Sequence, residues 1–252
     1  DEAHNLERAA FEKLGNSFAV EEGLWLLARL SETRQGIERG YLASLKARYP
    51  RYLKELTQAT HLIDLARHCL QSLAACEIAG VFDSPGARRI KPGMTGAEEL
   101  SQECRRTAAA LSDIQWSLQD IAQLTADEGE ELTLAGFAGE LQEKASSLWL
   151  IAESLDSESE EVVVWIETDA NGLSLVAAAP LDIGAELNQL LYPGLRSLIL
   201  VSATLTVGGS FQYIKRRLGL DHLEPERVRE WTAPSPFDFE RNCRTLVVRD
   251  LA

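Results

Sequence analysis

The chain opens with four residues, Asp1-Glu2-Ala3-His4, whose types and order suit the hydrolysis of a nucleoside triphosphate. Of two adjacent carboxylates, one can hold the Mg²⁺ ion that bridges the phosphates, and the other can orient the attacking water. For so short a motif, the alternative is an acidic terminal segment with no fixed structure. A second group of residues is therefore needed to choose between these interpretations.

Ser202-Ala203-Thr204 supplies that second group. It directly follows Ser197 to Val201, an apolar run that predicts a buried strand. Short hydroxyl side chains at the end of a strand can hydrogen-bond a neighbouring carboxylate and respond to the state of a phosphate site. The alternative is an ordinary strand-to-loop turn, where Ser and Thr are common.

Together, the two motifs resemble motifs II and III of superfamily 2 helicases. Here about two hundred residues separate them, and most of that gap has a helical pattern. This layout is similar to that of the XPD/DinG helicase family, and of its bacterial branch in particular. Further matching segments follow in the family's order, at 162–167, 179–183, 199–211 and 235–239.

The resemblance implies a role for each motif residue. Asp1 would bind Mg²⁺, through water, and Glu2 would activate the hydrolytic water. His4 would link the nucleotide state to the DNA-binding surface, and Ser202 and Thr204 would couple hydrolysis to strand movement. The implied reaction is ATP-driven, 5′-to-3′ translocation on single-stranded DNA with unwinding of duplexes in repair or replication. The implied cofactors are ATP and Mg²⁺.

The resemblance also implies a fold class of α+β, mostly α. An elongated helical bundle, the arch, would be inserted into part of a RecA-like α/β motor domain. The expected segments are the DEAH box at 1–4, the arch at 5–158, the rest of the first motor domain at 159–232, and the start of a second motor domain at 233–252.

No Gly-Lys dipeptide occurs in the sequence, so the chain holds no Walker A phosphate loop. The family places that loop, and the cysteines of its iron–sulfur cluster where one is present, before the DEAH box. We therefore expect this chain alone to be inactive as an ATPase and to hold no iron–sulfur ligands. Its four cysteines, at 69, 76, 104 and 243, show no C-x-x-C spacing and are interpreted as reduced and structural.

The helical half is expected to contain four or more long helices. The segment 51–76 lacks Pro and Gly and predicts one helix. The Pro- and Gly-rich segment 83–96 predicts a loop, and Thr95 with Glu98 predicts a capping box for a helix from about Ala97 to Thr125. The pattern resumes at 132–156 after an acidic interruption.

The second half changes to β-branched and aromatic residues at 162–166 and again to apolar residues at 173–177. Asn171-Gly172 between them predicts a hairpin turn. Beyond it, helices are expected at 184–191 and 210–218, the latter ending at Gly219. A last strand is expected at 245–248.

The net charge of −14 opposes nucleic-acid binding, because affinity for phosphate comes mainly from Lys and Arg. The charge is unevenly distributed, however. Residues 153–161 are acidic, whereas 29–54 is rich in basic residues, which are either DNA contacts or an ordinary solvated helix face. The candidate DNA contacts are Arg29, Arg34, Arg39, Lys46, Arg48, Arg51 and Lys54.

Two other patterns favour structural interpretations. His61, Asp64 and His68 share one helix face, but the sequence places no fourth metal ligand beside them. Three tryptophans in helical sequence could stack on bases, but core packing is preferred for them. They are Trp25, Trp116 and Trp149.

The competing function is a non-enzymatic, acidic helical module that binds a partner protein. A contact between Ser202 and Asp1 or Glu2 would favour the helicase, because a scaffold gives no reason for these segments to meet. No apolar run is long enough to span a bilayer, and no secretory signal is visible. We expect a cytoplasmic, nucleoid-associated bacterial protein that is monomeric and binds single-stranded DNA.

Overall fold

The computed structural model describes residues 2–78, 86–91, 93–157, 161–170, 172–234 and 236–244. It is mostly helical with a small antiparallel sheet, which agrees with the expected class. The helices are α1 (Leu6–Leu14), α2 (Val20–Leu30), α3 (Tyr41–Arg48), α4 (Leu53–Ala74), α5 (Ala97–Leu124), α6 (Glu128–Asp156), α7 (Ile183–Leu190), α8 (Gln212–Arg217) and α9 (Phe239–Asn242). The strands are β1 (Asn16–Ala19), β2 (Glu32–Arg34), β3 (Ile37–Arg39), β4 (Gly86–Ile90), β5 (Val162–Asp169) and β6 (Gly172–Pro180).

Helices α4, α5 and α6 form the centre of the helical half. They contain 22, 28 and 29 residues, and no other helix in the described ranges approaches that length, so the expectation of four or more long helices was wrong. The predicted bounds of α4 and α5 are confirmed to within two residues. Ser101 in α5 donates to the Ala152 carbonyl of α6, which fixes the pairing of these two helices inside the core.

The start of α6 differs from the prediction, because the acidic interruption belongs to the helix. The Asp127 carboxylate accepts hydrogen bonds from the backbone N–H groups of Gly129 (2.9 Å) and Glu130 (3.1 Å) and so caps the first turn. Acidic side chains in that turn are favoured by the helix dipole. The helix therefore begins at Glu128, four residues before the predicted start.

The predicted capping box before α5 is wrong. Gly96 is the capping residue, at φ 90°, and no side chain caps the helix. A Cβ atom at Gly96 would lie 2.5 Å from the Glu77 carbonyl oxygen. The close approach of two backbone segments therefore sets this helix start, and glycine is the residue that permits it.

The sheet has the strand order β1-β6-β5-β4, and all its pairs are antiparallel. The predicted hairpin of β5 and β6 is confirmed; Asn171 in its turn lies outside the described residues, as does the strand expected at 245–248. The edge strands β1 and β4 were not predicted, and β4 replaces part of the loop expected at 83–96. Both are short and gain their hydrogen bonds from strands far away in sequence.

The sheet joins strands from both sides of the boundary predicted after residue 158. Val164, Ile166 and Val176 of the hairpin belong to the same buried apolar cluster as the long helices. A second, smaller cluster lies elsewhere and is made by α1, α7, α8 and the turn at Tyr192. The predicted domain boundaries stay predictions. No helix in the described part of the chain is both long and apolar enough to cross a membrane.

Cys69, Cys76 and Cys104 are buried as free thiols, and Cys243 is exposed. Burial raises the pKa of Cys76 to about 11 and that of Cys104 to about 12. Burial also raises the pKa of Cys69. The three buried thiols therefore stay protonated at neutral pH and serve as small apolar groups.

Glu130 is the buried polar anchor between α3 and α6. Only 7% of its surface is exposed. Its carboxylate accepts a hydrogen bond from the Tyr41 hydroxyl and forms an ion pair with Arg48. Burial raises the pKa of Tyr41, and the hydrogen bond to the Glu130 carboxylate raises it further.

We expect Glu130→Ala to lower the free energy of unfolding by about 1–3 kcal/mol, because the Tyr41 hydroxyl loses its acceptor inside the protein. Urea denaturation followed by circular dichroism measures this loss. Glu131→Ala is the matched control, because it removes the same charge from an exposed position in the same turn. Equal losses in the two variants would contradict an anchoring role for Glu130.

Candidate functional site

The DEAH segment forms a short 3₁₀ turn, Ala3–Asn5, that leads directly into α1. Asp1 lies outside the described residues, so its expected role stays a prediction. Glu2 adopts a left-handed backbone conformation, with φ 55°, which is uncommon for a residue other than glycine. Its Oε2 atom lies 3.1 Å from His4 Nδ1, and both side chains are exposed.

The two sequence motifs meet in space at two points. The Ala3 backbone N–H donates to the Val201 carbonyl oxygen over 3.0 Å. One residue further along each segment, His4 Nδ1 lies 2.9 Å from Ser202 Oγ. A contact of Ser202 with Asp1 or Glu2 was expected to favour the helicase; the partner found among the described residues is His4, and Asp1 lies outside them.

Ser202 stands at the centre of a small polar network. Its hydroxyl oxygen accepts a hydrogen bond from the Thr204 backbone N–H and lies 3.3 Å from Thr204 Oγ1. Its proton can therefore go either to His4 or to the Thr204 hydroxyl. His4 Nδ1 lies within reach of both Ser202 and Glu2, so its tautomer decides which of them it bonds.

An ion pair brings the flanking helices together behind the motifs. Arg217 of α8 donates from Nε to the Glu7 carboxylate of α1 over 2.9 Å and also reaches it through Nη2. This hydrogen bond raises the pKa of the Arg217 guanidinium. The two residues lie 210 positions apart, and no motif in the sequence marked either of them.

Helices α7 and α8 approach each other through glycine. Asn188 of α7 donates to the carbonyl oxygens of Gly184 (2.9 Å) and Gly219 (2.6 Å), which joins the two helix ends. The Tyr192 hydroxyl donates to the Leu218 carbonyl over 2.6 Å, and burial raises its pKa to about 12. Gly219 has φ 66° and ends the helix as predicted, although α8 begins two residues later than expected.

The segment before Ser202 is not the buried strand that the sequence predicted. Residues 197–201 form no helix and pair with no strand in the described part of the chain, and the segment is not buried. Ile199 is 82% exposed, Val201 53% and Leu198 43%. Apolar side chains suited to the interior of a sheet are therefore exposed to solvent beside the contact between His4 and Ser202.

Comparison with curated proteins gives two relatives that align along nearly the whole chain. One, named 3′-5′ exonuclease DinG, from Bacillus subtilis, is 25% identical over 273 residues, covering 100% of this chain and 29% of the relative. The other, named ATP-dependent DNA helicase DinG, from Photobacterium profundum, is 28% identical over 266 residues, covering 98% of this chain and 36% of the relative. No family model matches.

This chain is similar to DinG proteins along nearly its whole length. The alignments confirm the resemblance that the DEAH and Ser-Ala-Thr motifs indicated, and they extend it through the helical region between them. The chain spans about a third of the length of these curated relatives.

Carboxylates of the chain neutralise four of the seven candidate DNA-contacting cations of the basic stretch. The ion pairs are Arg29 with Glu140, Arg34 with Glu32, Lys46 with Glu38, and Arg48 with Glu130. Burial acts to raise the pKa of Glu38, but the hydrogen bond and charge of Lys46 leave it lowered. Arg39, Arg51 and Lys54 are exposed and form no ion pair with a described residue.

The tryptophans contradict the prediction of core packing. Trp25 and Trp116 are 63% and 62% exposed, and Trp149 is 37% exposed. The Arg29 guanidinium lies 4.7 Å from the centre of the Trp25 ring, so this tryptophan is engaged by a cation from its own helix. Their helical spacing did not indicate which face of each helix would be buried.

His61 and His68 are exposed on α4, and Asp64 pairs with Arg67 at 2.6 Å. Within the described ranges, no group of three or more His, Cys, Asp or Glu side chains is arranged to hold a metal ion. The structure therefore gives these three residues no shared role.

We expect Gly219→Ala to destabilise the protein by about 2 kcal/mol or more, because the new Cβ would lie 2.2 Å from the Gly184 carbonyl oxygen at a positive φ. Thermal unfolding followed by circular dichroism measures this effect. Gly194→Ala is the control, because a Cβ there meets nothing within 4 Å. Tolerance of Ala at 219 would mean that α7 and α8 do not approach closely in solution.

Proposed function

We propose that this chain is a segment of an ATP-dependent DNA helicase and carries the contact that couples its nucleotide site to movement on DNA. The observation that carries the proposal is the 2.9 Å approach of His4 to Ser202, two residues 198 positions apart. The name of one relative, ATP-dependent DNA helicase DinG, supports the same function. A helical scaffold gives no reason for these two segments to meet.

The side chains at the contact suit an ATP·Mg²⁺ site. The Glu2 carboxylate and the Ser202 and Thr204 hydroxyls present oxygen atoms, the donors that Mg²⁺ prefers. In this proposal Asp1 binds the Mg²⁺ ion through water, and Glu2 orients and deprotonates the attacking water. Bound Mg²⁺ would neutralise charge that develops on the phosphates during transfer.

His4 and Ser202 would then report the state of that site. Because His4 Nδ1 lies 3.1 Å from the Glu2 carboxylate and 2.9 Å from Ser202, a change at Glu2 alters the partner available to the serine. Ser202 has a second hydroxyl, that of Thr204, at 3.3 Å. Loss of the phosphate would thus shift Ser202 between two partners and move the segment that holds it.

The exposed apolar segment 197–201 supports a larger α/β domain around the site. Its open side chains would cost free energy if they stayed in contact with water, at roughly 25 cal/mol per Å² of apolar surface. We propose that strands of a RecA-like motor domain cover this segment. In the same proposal, residues 5–158 form the arch, 159–232 continue the first motor domain, and 233–252 begin the second.

The substrate in this proposal is single-stranded DNA, along which the enzyme moves 5′ to 3′ as a monomer. The arch would stand beside the path of the strand while ATP binding and hydrolysis move the motor domains. The phosphate loop is expected in a part of the protein that this sequence does not contain. The segment alone is therefore proposed to be inactive as an ATPase.

We expect the 252-residue chain to give no ATP turnover with single-stranded DNA, and a longer protein of the relatives' length that contains it to be active. In that longer protein, Glu2→Gln should lower turnover at least about a hundredfold, because the catalytic base is lost. A coupled phosphate-release assay measures this, with the exposed Glu143→Gln as the control of equal charge change. Turnover by the chain alone that Glu2→Gln abolishes would contradict the proposal.

Ser202→Ala should separate the two activities of the longer protein. ATP hydrolysis should persist, whereas unwinding of a forked duplex should fall at least about tenfold, because His4 loses the partner that carries its signal. Strand-displacement and phosphate-release assays on the same preparation give the ratio of the two rates. Ser146→Ala, at an exposed position on α6, should leave the ratio unchanged. A parallel fall of both rates in Ser202→Ala would argue against coupling.

A further inference from the structure

The first half of α4 carries an open depression on its outer face. Its volume is about 720 Å³. The apolar lining includes Leu53, which is 52% exposed at the first turn of the helix. The residues that line the depression are Pro50, Arg51, Leu53, Lys54, Thr57, Gln58 and His61.

Four polar side chains of this depression form no hydrogen bond or ion pair with a described residue, unlike most basic residues earlier in the stretch. Arg51, Lys54, Gln58 and His61 are exposed, and none forms a hydrogen bond or ion pair with any residue that the structure describes. Four cations nearby in sequence are paired with carboxylates. Positive charge is therefore available here although the chain as a whole carries −14.

The cations of the depression are also partly preorganised. The Arg51 guanidinium lies 4.6 Å from the centre of the Tyr52 ring, and the Tyr52 hydroxyl bonds the Leu124 carbonyl at the end of α5. A tyrosine fixed by the core thus orients this arginine. Arg51 lies in the 3₁₀ turn Pro50–Tyr52 that precedes α4, and Lys54 lies three residues further along, in the first turn of the helix.

We propose that this depression, defined by its seven lining residues, binds single-stranded DNA. The inference rests on the proposed helicase function and deepens it by naming a strand-binding surface. Phosphates would be bound by Arg51 and Lys54, and an unstacked base would lie against Pro50 and Leu53. Gln58 and His61 would bond the base edge or sugar at the far end.

The chemistry favours a single strand over a duplex. The lining offers apolar surface beside the charges, and a base can reach that surface only when it has left its stack and its pairing partner. Residues 53–61 extend along about 12 Å of α4 at 1.5 Å per residue, which suits a few nucleotides. The complementary charge lies on one edge, where it can follow one phosphate backbone.

The test is titration of the 252-residue chain against a fluorescent oligothymidylate over a range of salt concentrations. Lys54→Ala and Arg51→Ala should each weaken binding severalfold at low salt and reduce the slope of log affinity against log salt by about 0.7. Leu53→Ala should weaken binding without changing the slope, because it alters the base contact alone. Lys91→Ala is the control, since it removes one exposed positive charge elsewhere.

Three outcomes would overturn the inference. The first is wild-type affinity and slope in both Lys54→Ala and Arg51→Ala while the chain still binds the oligonucleotide. The second is equal affinity for a duplex of the same length, and the third is equal affinity for polyglutamate, which would mark a general anion surface. None of these outcomes bears on the helicase proposal, which is tested separately by the ATPase activity of Glu2→Gln. Failure of the binding surface and failure of the helicase proposal are therefore distinguishable.

Discussion

The site depends on the packing of α1 against α7 and α8, because that packing brings the DEAH turn to the Ser-Ala-Thr segment. The polar contacts between the motifs are exposed, and a hydrogen bond in water contributes only about 0.5–1.5 kcal/mol net. They would not hold two segments together across such a sequence distance. The buried cluster of Ala10, Ile183, Leu187, Ile214 and Leu218 supplies the larger stabilisation. The position of His4 relative to Ser202 is therefore a consequence of apolar packing behind it.

Helix α1 also connects that small cluster to the sheet. Phe11 lies with its ring centre 5.8 Å from that of Trp165 in β5, while Ala10 belongs to the cluster beside the motifs. The chain leaves α1 through Gly15 directly into β1, which pairs with β6. A shift of the helical region relative to the sheet would thus be transmitted to the DEAH turn through a helix of nine residues. The fold provides a short mechanical link between the two ends of the proposed coupling.

Local patterns predicted the elements whose stability is largely local. The long helices α4 and α5 and the hairpin of β5 and β6 follow from periodicity, from the absence of Gly and Pro, and from a turn dipeptide. The strands β1 and β4 could not be predicted in this way, because each is short and exists by pairing with β6 or β5. The prediction that the three tryptophans are buried was wrong for a related reason. Periodicity identifies an apolar face of a helix but does not say which faces the tertiary structure will cover.

The two motifs were recognisable because catalytic chemistry restricts residue types, but the residues that position them were not. Glu7 and Arg217 are ordinary surface residues by type, and only the fold makes them a pair. Asn188 likewise gains its role from the approach of two helix ends, and Gly219 was predicted as a helix end but not as their contact point. The prediction of a strand at 197–201 was wrong, because a strand needs a pairing partner and the described residues supply none.

The same dependence on tertiary structure governs the charge argument. Net charge counts every carboxylate equally, but Glu38 and Glu130 are directed at Lys46 and Arg48, and each carboxylate neutralises one cation locally. Coulomb interactions between exposed groups are screened beyond about 8–10 Å at ordinary salt. Acids at the far end of α6, such as Glu153 and Asp156, therefore weigh little at the first turns of α4. What a phosphate would meet there is the local balance, in which Arg51 and Lys54 have no carboxylate partner among the described residues. An acidic protein can therefore present a phosphate-binding surface, and pairing, not composition, decides where it lies.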